Sequence, residues 1–122
     1  MNDDDKKELK MVNGVTSEQL SPVLLRLAGY VMVLYCPGCE ICHHIHVDKP
    51  GDNGASWGWD KNVEKPTFTP SILVRYNFSL DEANNVVCHS FIRNGRWEFL
   101  GDCTHALKNQ TVDMVEIPED HR

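Results

Sequence analysis

Hydrophobic residues in this chain recur in short runs that are typical of β-strands. Residues 30–35 form a continuous β-branched and aromatic run, which predicts a buried strand. Residues 71–76 predict another strand, and residues 111–117 alternate between apolar and polar side chains like a strand at a sheet edge. Residues 66–70 contain two prolines that resist pairing in a central strand, so we expect this stretch at an edge or in a loop.

One segment near the N-terminus carries helix signals instead. Thr16 followed by Gln19 resembles a capping box, and Ser21-Pro22 offers a second helix start. Residues 23–28 then predict one or two helical turns that end at Gly29. This short helix is interpreted either as part of the core or as a docking element.

The Asn94-Gly95 dipeptide predicts a two-residue β-hairpin turn, because both turn positions require positive φ. Such a turn pairs Arg93 with Arg96 and Ser90 with Phe99, and side chains alternate between the two faces. One face of the hairpin is mostly apolar and carries Val86, Cys88, Ser90, Ile92, Trp97, Phe99 and Cys103. The opposite face carries His89, Phe91, Glu98, Leu100 and Asp102. The core face is predicted to hold Cys88 and Cys103, and the opposite face to bring His89 near Asp102.

All five cysteines fall in three short clusters, which predicts a metal site. Cys36-Pro37-Gly38-Cys39 can present two thiolates to one ion from a tight turn. The remaining ligands are predicted to be Cys88 and Cys103, or Cys88 and His105 in place of Cys103. Either set closes a tetrahedral shell around zinc, which makes the metal structural. Cys42 lies too close to Cys39 to repeat the motif and is interpreted as a free thiol.

Histidines exceed the needs of one structural ion, which leaves an enzymatic interpretation open. The residues concerned are His43, His44, His46, His89 and His105. If three of them held a second ion with an open position, that ion would activate a water molecule for hydrolysis. The possible second site, or its outer shell, comprises His44, His46, His89 and Asp102. The alternative is that His43 and His44 are exposed and His89 makes an ordinary hydrogen bond with Asp102.

Two tryptophans, Trp57 and Trp59, flank a single glycine. They are interpreted as a partner-binding surface, since tryptophan is enriched at binding hot spots. The alternative is that both side chains pack over a small sheet.

Composition narrows the class of protein. The chain has 122 residues and a formal net charge of −6, which predicts one domain without broad nucleic-acid binding. We find neither a signal peptide nor an apolar run long enough for a membrane helix, so a reducing cytoplasm is expected. The expected organisation is a flexible polar lead-in over residues 1–15, a zinc-binding domain over 16–118 and a polar tail over 119–122.

Four strings resemble a family of small proteins encoded by tailed bacteriophages and prophages, some of which carry the label ammonia monooxygenase. The strings are Cys-Pro-Gly-Cys, Pro-Thr-Phe-Thr-Pro-Ser-Ile, Cys-His-Ser-Phe-Ile-Arg-Asn-Gly and Phe-Leu-Gly-Asp-Cys-Thr-His-Ala-Leu. The resemblance spans roughly residues 30–117 and implies a phage accessory protein in the bacterial host cytoplasm.

Together these observations predict an α+β, mostly β, domain with a small zinc-ribbon-like antiparallel sheet and a short N-terminal helix. The expected function is a phage-encoded zinc-binding accessory protein that binds, and modulates or inhibits, a protein of the host (including its defences) or of the phage. The alternative is a metal-dependent hydrolase that uses the surplus histidines.

Overall fold

The computed structural model of this chain describes residues 9–12, 15–51, 54–77 and 85–121. It contains two five-stranded antiparallel sheets, each built from strands consecutive in sequence. The first sheet consists of β1 (Leu9–Val12), β2 (Val15–Ser21), β3 (Leu24–Leu27), β4 (Val31–Cys36) and β5 (Ile41–His46). The second consists of β6 (Gly58–Trp59), β7 (Phe68–Asn77), β8 (Asn85–Arg93), β9 (Arg96–Phe99) and β10 (Thr111–Asp113).

The predicted fold class is wrong, because the described residues are all-β and contain no α-helix. The predicted helix over residues 23–28 is strand β3. The Ser21 hydroxyl accepts a hydrogen bond from the Val23 N–H and stabilises a turn, which is the alternative use of a residue typical of helix caps. Ala28 and Gly29 both have positive φ and form the β3–β4 turn, so Gly29 closes a hairpin rather than a helix.

The zinc-ribbon prediction is also wrong, although its first hairpin exists. Strands β4 and β5 pair on either side of the Cys36–Cys39 turn, as expected. They belong, however, to a five-stranded sheet that packs against a second sheet, and a zinc ribbon has no such second layer. The hairpin around Asn94-Gly95 is confirmed with the predicted register, including the pairs Arg93–Arg96 and Ser90–Phe99.

The inner faces of the two sheets share one core. Leu24, Leu34 and Ile45 from the first sheet pack with Phe68 and Trp97 from the second. Each of these side chains is almost fully buried. Cys36 and Cys88 belong to the same cluster, so one thiol from each sheet lies in the shared core.

A short segment connects the two sheets at one end. Trp57 forms a parallel bridge with Val47, just beyond the end of β5. The next residues form β6, which pairs with β7 through Gly58–Thr69 and Trp59–Phe68. The β7–β8 register shifts between Phe68 and Ile72, and a shift of this kind redirects the side chains that follow it.

The ends of the chain are described in part. Strand β1 lies inside the predicted lead-in, whereas residues 1–8 and 13–14 lie outside the described residues. Glu119–His121 in the predicted tail form a 3-10 turn, and Arg122 is outside the described part. None of the helices in the described ranges has the length and apolar character needed to cross a membrane.

Candidate active site and metal centre

Ser71, His89 and Asp102 form a chain of hydrogen bonds. The Ser71 Oγ lies 3.1 Å from Nε2 of His89, and Nδ1 of His89 lies 3.0 Å from Oδ2 of Asp102. A carboxylate can only accept, so Nδ1 carries the proton and donates it to Asp102. Nε2 is then the acceptor for the Ser71 hydroxyl. A hydroxyl, an imidazole and a carboxylate in this order are the parts of a Ser-His-Asp hydrolase.

The second sheet places these three groups on its outer face. Ser71 lies within the register shift in β7, and His89 lies on β8 directly opposite Leu73. Cys88, the residue before His89, points into the core and is 1% exposed. His89 and Asp102 instead keep 27% and 55% of their side-chain surface open to solvent. A bound molecule can therefore reach this chain of hydrogen bonds from outside.

The Cys103 thiol, one residue after Asp102, makes two hydrogen bonds to the backbone of His89. The His89 N–H donates to the Cys103 Sγ, and the thiol donates to the His89 carbonyl, each over 3.2 Å. The Thr104 N–H also donates to the Val87 carbonyl, so the segment after Asp102 runs alongside β8. These hydrogen bonds hold the backbone at His89 and the backbone next to Asp102 in a fixed position relative to each other.

A groove of about 400 Å³ lies next to Ser71, between β5 and β7. Its lining is mostly apolar and consists of His44, Ile45, His46, Ala55, Trp57, Ile72, Leu73 and Val74. The Trp57 indole N–H donates to the Ser71 carbonyl over 3.2 Å, which connects the groove to the nucleophile. Desolvation in the groove, together with His43 and His46, lowers the pKa of His44.

Behind the outer face, Cys36, Cys39, Cys88 and His105 lie close enough to bind a metal ion. Their ligand atoms are all within 4.8 Å of one another. The Cys36 and Cys88 sulfurs are 3.8 Å apart, and the Cys39 N–H donates to the Cys36 Sγ, as it does in metal-binding knuckles. These are the three thiols plus His105 of the second predicted ligand set. Cys103 lies outside this group because its thiol is bonded to the backbone of His89.

The chemistry of the cluster fits a cation. Hydrogen bonds from Cys39, Cys88 and His43 lower the pKa of the Cys36 thiol. The neighbouring Cys36 thiolate raises the pKa of Cys39 to about 12 and raises that of Cys88. Three thiolates at this distance repel one another, and a metal ion removes the repulsion by neutralising them.

The packing around His105 fits the same ion. Its buried Nε2 has no hydrogen-bond partner in the described part of the chain. A buried polar atom without a partner is costly unless a ligand satisfies it. A Cβ on Gly38 would lie 2.3 Å from the His105 ring, so only glycine lets the ring approach the knuckle.

The other predicted residues lie away from this cluster. His44 is exposed in the groove, and His46 stacks on Tyr30 at 5.4 Å between ring centroids. Across the described part of the chain, Cys36, Cys39, Cys88 and His105 are the one group of three or more close metal ligands. Trp57 and Trp59 are half-buried, and Trp59 stacks on Phe68 while its indole N–H donates to the Asn62 carbonyl.

Sequence reasoning placed His89 next to Asp102, as part of a possible second metal site or its outer shell, but it named no catalytic residue and missed Ser71. The hairpin turn predicts that His89 and Asp102 are neighbours, since both lie close to Asn94-Gly95 in sequence. Ser71 reaches His89 through pairing of β7 with β8, and that pairing contains a register shift. The one available signal was that Ser71 lies in the string Pro-Thr-Phe-Thr-Pro-Ser-Ile, directly after its second proline.

A scan against family models matches residues 10–100, about three-quarters of the chain, to BubE, described as a bacterial ubiquitination-like system serine protease. The chain belongs to the BubE family. Neither the curated proteins nor the solved structures contain a match to it. The matched region contains Ser71 and His89, and it ends just before Asp102.

Membership of the BubE family corrects the functional prediction. A phage-encoded zinc accessory protein that acts by binding a partner is contradicted, because the family is described as a serine protease. The resemblance to phage proteins and their ammonia monooxygenase label also finds no support. Of the two original hypotheses, the hydrolase is closer, although a serine protease uses a serine rather than a metal-bound water as its nucleophile.

Proposed function

We propose that this chain is a serine protease of a bacterial ubiquitination-like system, with Ser71 as nucleophile, His89 as general base and Asp102 as the carboxylate that orients it. The observation that carries the proposal is the hydrogen-bonded chain from Ser71 through His89 to Asp102. The description of the BubE family gives independent support, since it requires a catalytic serine.

Each residue has a defined part in the reaction. The Ser71 Oγ attacks the carbonyl carbon of a peptide bond while its proton passes to Nε2 of His89. The imidazolium then donates that proton to the leaving amine, and the acyl-enzyme forms on Ser71. In the second half His89 takes a proton from the attacking water and returns it to the Ser71 Oγ, which leaves as the carboxylic acid product is released. Asp102 holds the Nδ1–H tautomer and stabilises the imidazolium in both halves.

Zinc is the proposed metal of the buried cluster. Three thiols and one imidazole are soft and borderline ligands that suit zinc, and four protein ligands complete a tetrahedral shell. A closed shell gives the ion a structural part, which is to hold the ligands in place. Cys88 directly precedes His89, so fixing the Cys88 thiolate in the core also fixes the backbone that carries the base.

An active-site probe tests the proposed nucleophile. A fluorophosphonate reacts with activated serines, so it should label one site, and peptide mapping should place the label on Ser71. Ser71→Ala should abolish labelling, whereas Ser56→Ala, which changes an exposed serine in a loop, should not affect it. A label on another residue, or one that persists in Ser71→Ala, would contradict the proposal.

Elemental analysis tests the metal. The purified protein should contain about one zinc ion per chain. A metal-free protein in which Cys36, Cys39 and Cys88 react freely with a thiol reagent in the native state would contradict the proposed centre.

A further inference from the structure

We infer that the substrate binds as an extended peptide strand in the groove between β5 and β7, paired with both strand edges at once. This inference rests on Ser71 being the nucleophile, and it adds where and how the chain next to the cleaved bond is held. Four observations carry it: the width of the groove, the direction of its backbone groups, its lining and its position beside Ser71.

The width of the groove follows from the segment that closes one end. Trp57 bridges to Val47 on one side, and the next residue, Gly58, pairs with Thr69 on the other. At this level one strand therefore fills the space between the edges of the two sheets. Residues 54–56 leave that line, because in the described segment 54–57 only Trp57 forms a bridge to a strand. The open part of the groove is thus about one strand wide, or roughly 10 Å between the flanking strands.

The β5 edge directs backbone groups into this space. The His46 carbonyl accepts a hydrogen bond from the Trp57 N–H, so it points away from β4. In an antiparallel pair every second residue points the same way. The N–H and carbonyl of His44, two residues earlier, therefore face the groove as well.

The β7 edge does the same from the other side. The His89 carbonyl accepts from the Leu100 N–H and so points away from β7, which makes Leu73–His89 a pair without hydrogen bonds between them. The N–H and carbonyl of Leu73 consequently point into the groove. Two strand edges thus face each other across a gap of one strand.

The side chains suit a polypeptide segment. Six of the eight residues that line the groove are apolar, and Leu73 is 47% exposed although it is a large hydrophobic residue. Backbone hydrogen bonds from both edges favour an extended peptide over a compact small molecule, because only a strand offers N–H and carbonyl groups on both sides. Trp57 lies at the closed end of the groove and also contacts the Ser71 carbonyl, so a peptide in the groove leads directly to the nucleophile.

A scan of N-methylated peptides tests the two-sided pairing. A library of internally quenched octapeptides would first supply a cleaved sequence, and each of its amides would then be methylated in turn. A strand held from both sides loses hydrogen bonds at consecutive positions, so at least two adjacent methylations should each raise KM about tenfold. Losses at alternate positions would indicate pairing with one edge and overturn the inference, as would a scan without effect.

Side-chain variants test the location. Leu73→Gln should raise KM for the same peptide about tenfold or more with a smaller change in kcat, because apolar contact is lost. Val115→Gln is the matched control, since Val115 is also an exposed apolar residue, 37% exposed, and lies outside the groove. Thermal melts would check that both variants are folded. Equal KM values for both variants and the unchanged protein would overturn the inference.

Two measurements on the wild-type protein, labelling of Ser71 and cleavage of peptides, distinguish an error in the proposed peptide groove from an error in the proposed protease function. Absence of fluorophosphonate labelling at Ser71 would contradict the proposed function itself. Labelling at Ser71 without cleavage of any library peptide would leave the nucleophile in place and overturn the peptide groove.

Discussion

The two faces of strand β8 carry two different kinds of site one residue apart. Cys88 is 1% exposed and joins three other ligands in the core, whereas the adjacent His89 keeps 27% of its side chain open. The buried site brings together four potential metal ligands, enough to complete the shell of the proposed zinc ion. The open site holds the proposed nucleophile and base, and an external molecule can reach it.

The difference shows how alternation of side chains along β8 separates a buried metal-ligand cluster from a solvent-accessible candidate active site. A metal-bound thiolate requires exclusion of competing solvent, and a nucleophile requires access to its substrate. Successive side chains of a strand point to opposite faces, so both needs are met on one short stretch of backbone. The two sites are thereby coupled through the peptide bond between Cys88 and His89. Variants of Cys88 and of His89 should therefore show which residue contributes to stability and which to turnover.

The largest expected effect is on turnover. His89→Ala should lower kcat by about 10⁶-fold, because the Ser71 hydroxyl loses the group that takes its proton. The metal content and the melting temperature should stay close to those of the unchanged protein, since His89 is not a metal ligand. Steady-state kinetics with a cleaved peptide, together with a thermal melt and elemental analysis, provide the measurement. Loss of the metal in His89→Ala would show that the two faces are not separable.

Replacing the neighbouring residue should change stability instead. Cys88→Ser removes one ligand from the buried cluster and should lower the free energy of unfolding by on the order of 4 kcal/mol, with loss of the metal. Activity should fall with the folded fraction. Denaturant unfolding with and without added zinc checks this prediction. A stable Cys88→Ser variant that retains stoichiometric metal would mean that another ligand replaces the thiolate.

Gly38→Ala tests the closeness of the knuckle to His105 without altering a ligand. The added Cβ would lie 2.3 Å from the His105 ring and must displace it. We expect a loss of about 2 kcal/mol in stability and of about tenfold to a hundredfold in zinc affinity. Competition with a chelating dye measures the affinity. An unchanged zinc affinity would contradict the close approach of the His105 ring to the knuckle.

The smallest effect is expected at Cys103, which connects the two sites without belonging to either. Cys103→Ala removes the two bonds to the His89 backbone and should cost about 1 kcal/mol of stability and severalfold in kcat. Cys103→Ser keeps a donor and an acceptor, so it should recover most of the activity. If both variants lost the metal, Cys103 would have to be counted among the ligands.

The sequence predicts those parts of the molecule whose signals are local. Asn94-Gly95 determines the turn and hence the register that places His89 near Asp102. The spacing of Cys36 and Cys39 indicates a turn that can bind a metal ion. The helix prediction failed because Ser21 and Gly29 stabilise tight turns as readily as helix ends. The choice between Cys103 and His105 depended on where the chain leaves the ladder after β9, which no local pattern encodes.

Ser71 illustrates a different limit. Its neighbour His89 lies on another strand, and their contact depends on a shifted β7–β8 register that no turn residue fixes. An isolated serine has no spacing pattern of its own. The nucleophile therefore became visible only when the three-dimensional arrangement placed its hydroxyl 3.1 Å from an imidazole.

The ligand set of the metal centre also has a consequence for chain entropy. Cys39 and His105 lie on either side of Ser71, His89 and Asp102 in the sequence, so a bound ion closes a loop that contains the whole triad. By the chain-entropy argument used for disulfides, closing a loop of roughly 65 residues lowers the entropy of the unfolded chain and so raises the free energy of unfolding by about 4 kcal/mol. Unlike a disulfide, this crosslink forms between reduced thiols and is reversible by chelation.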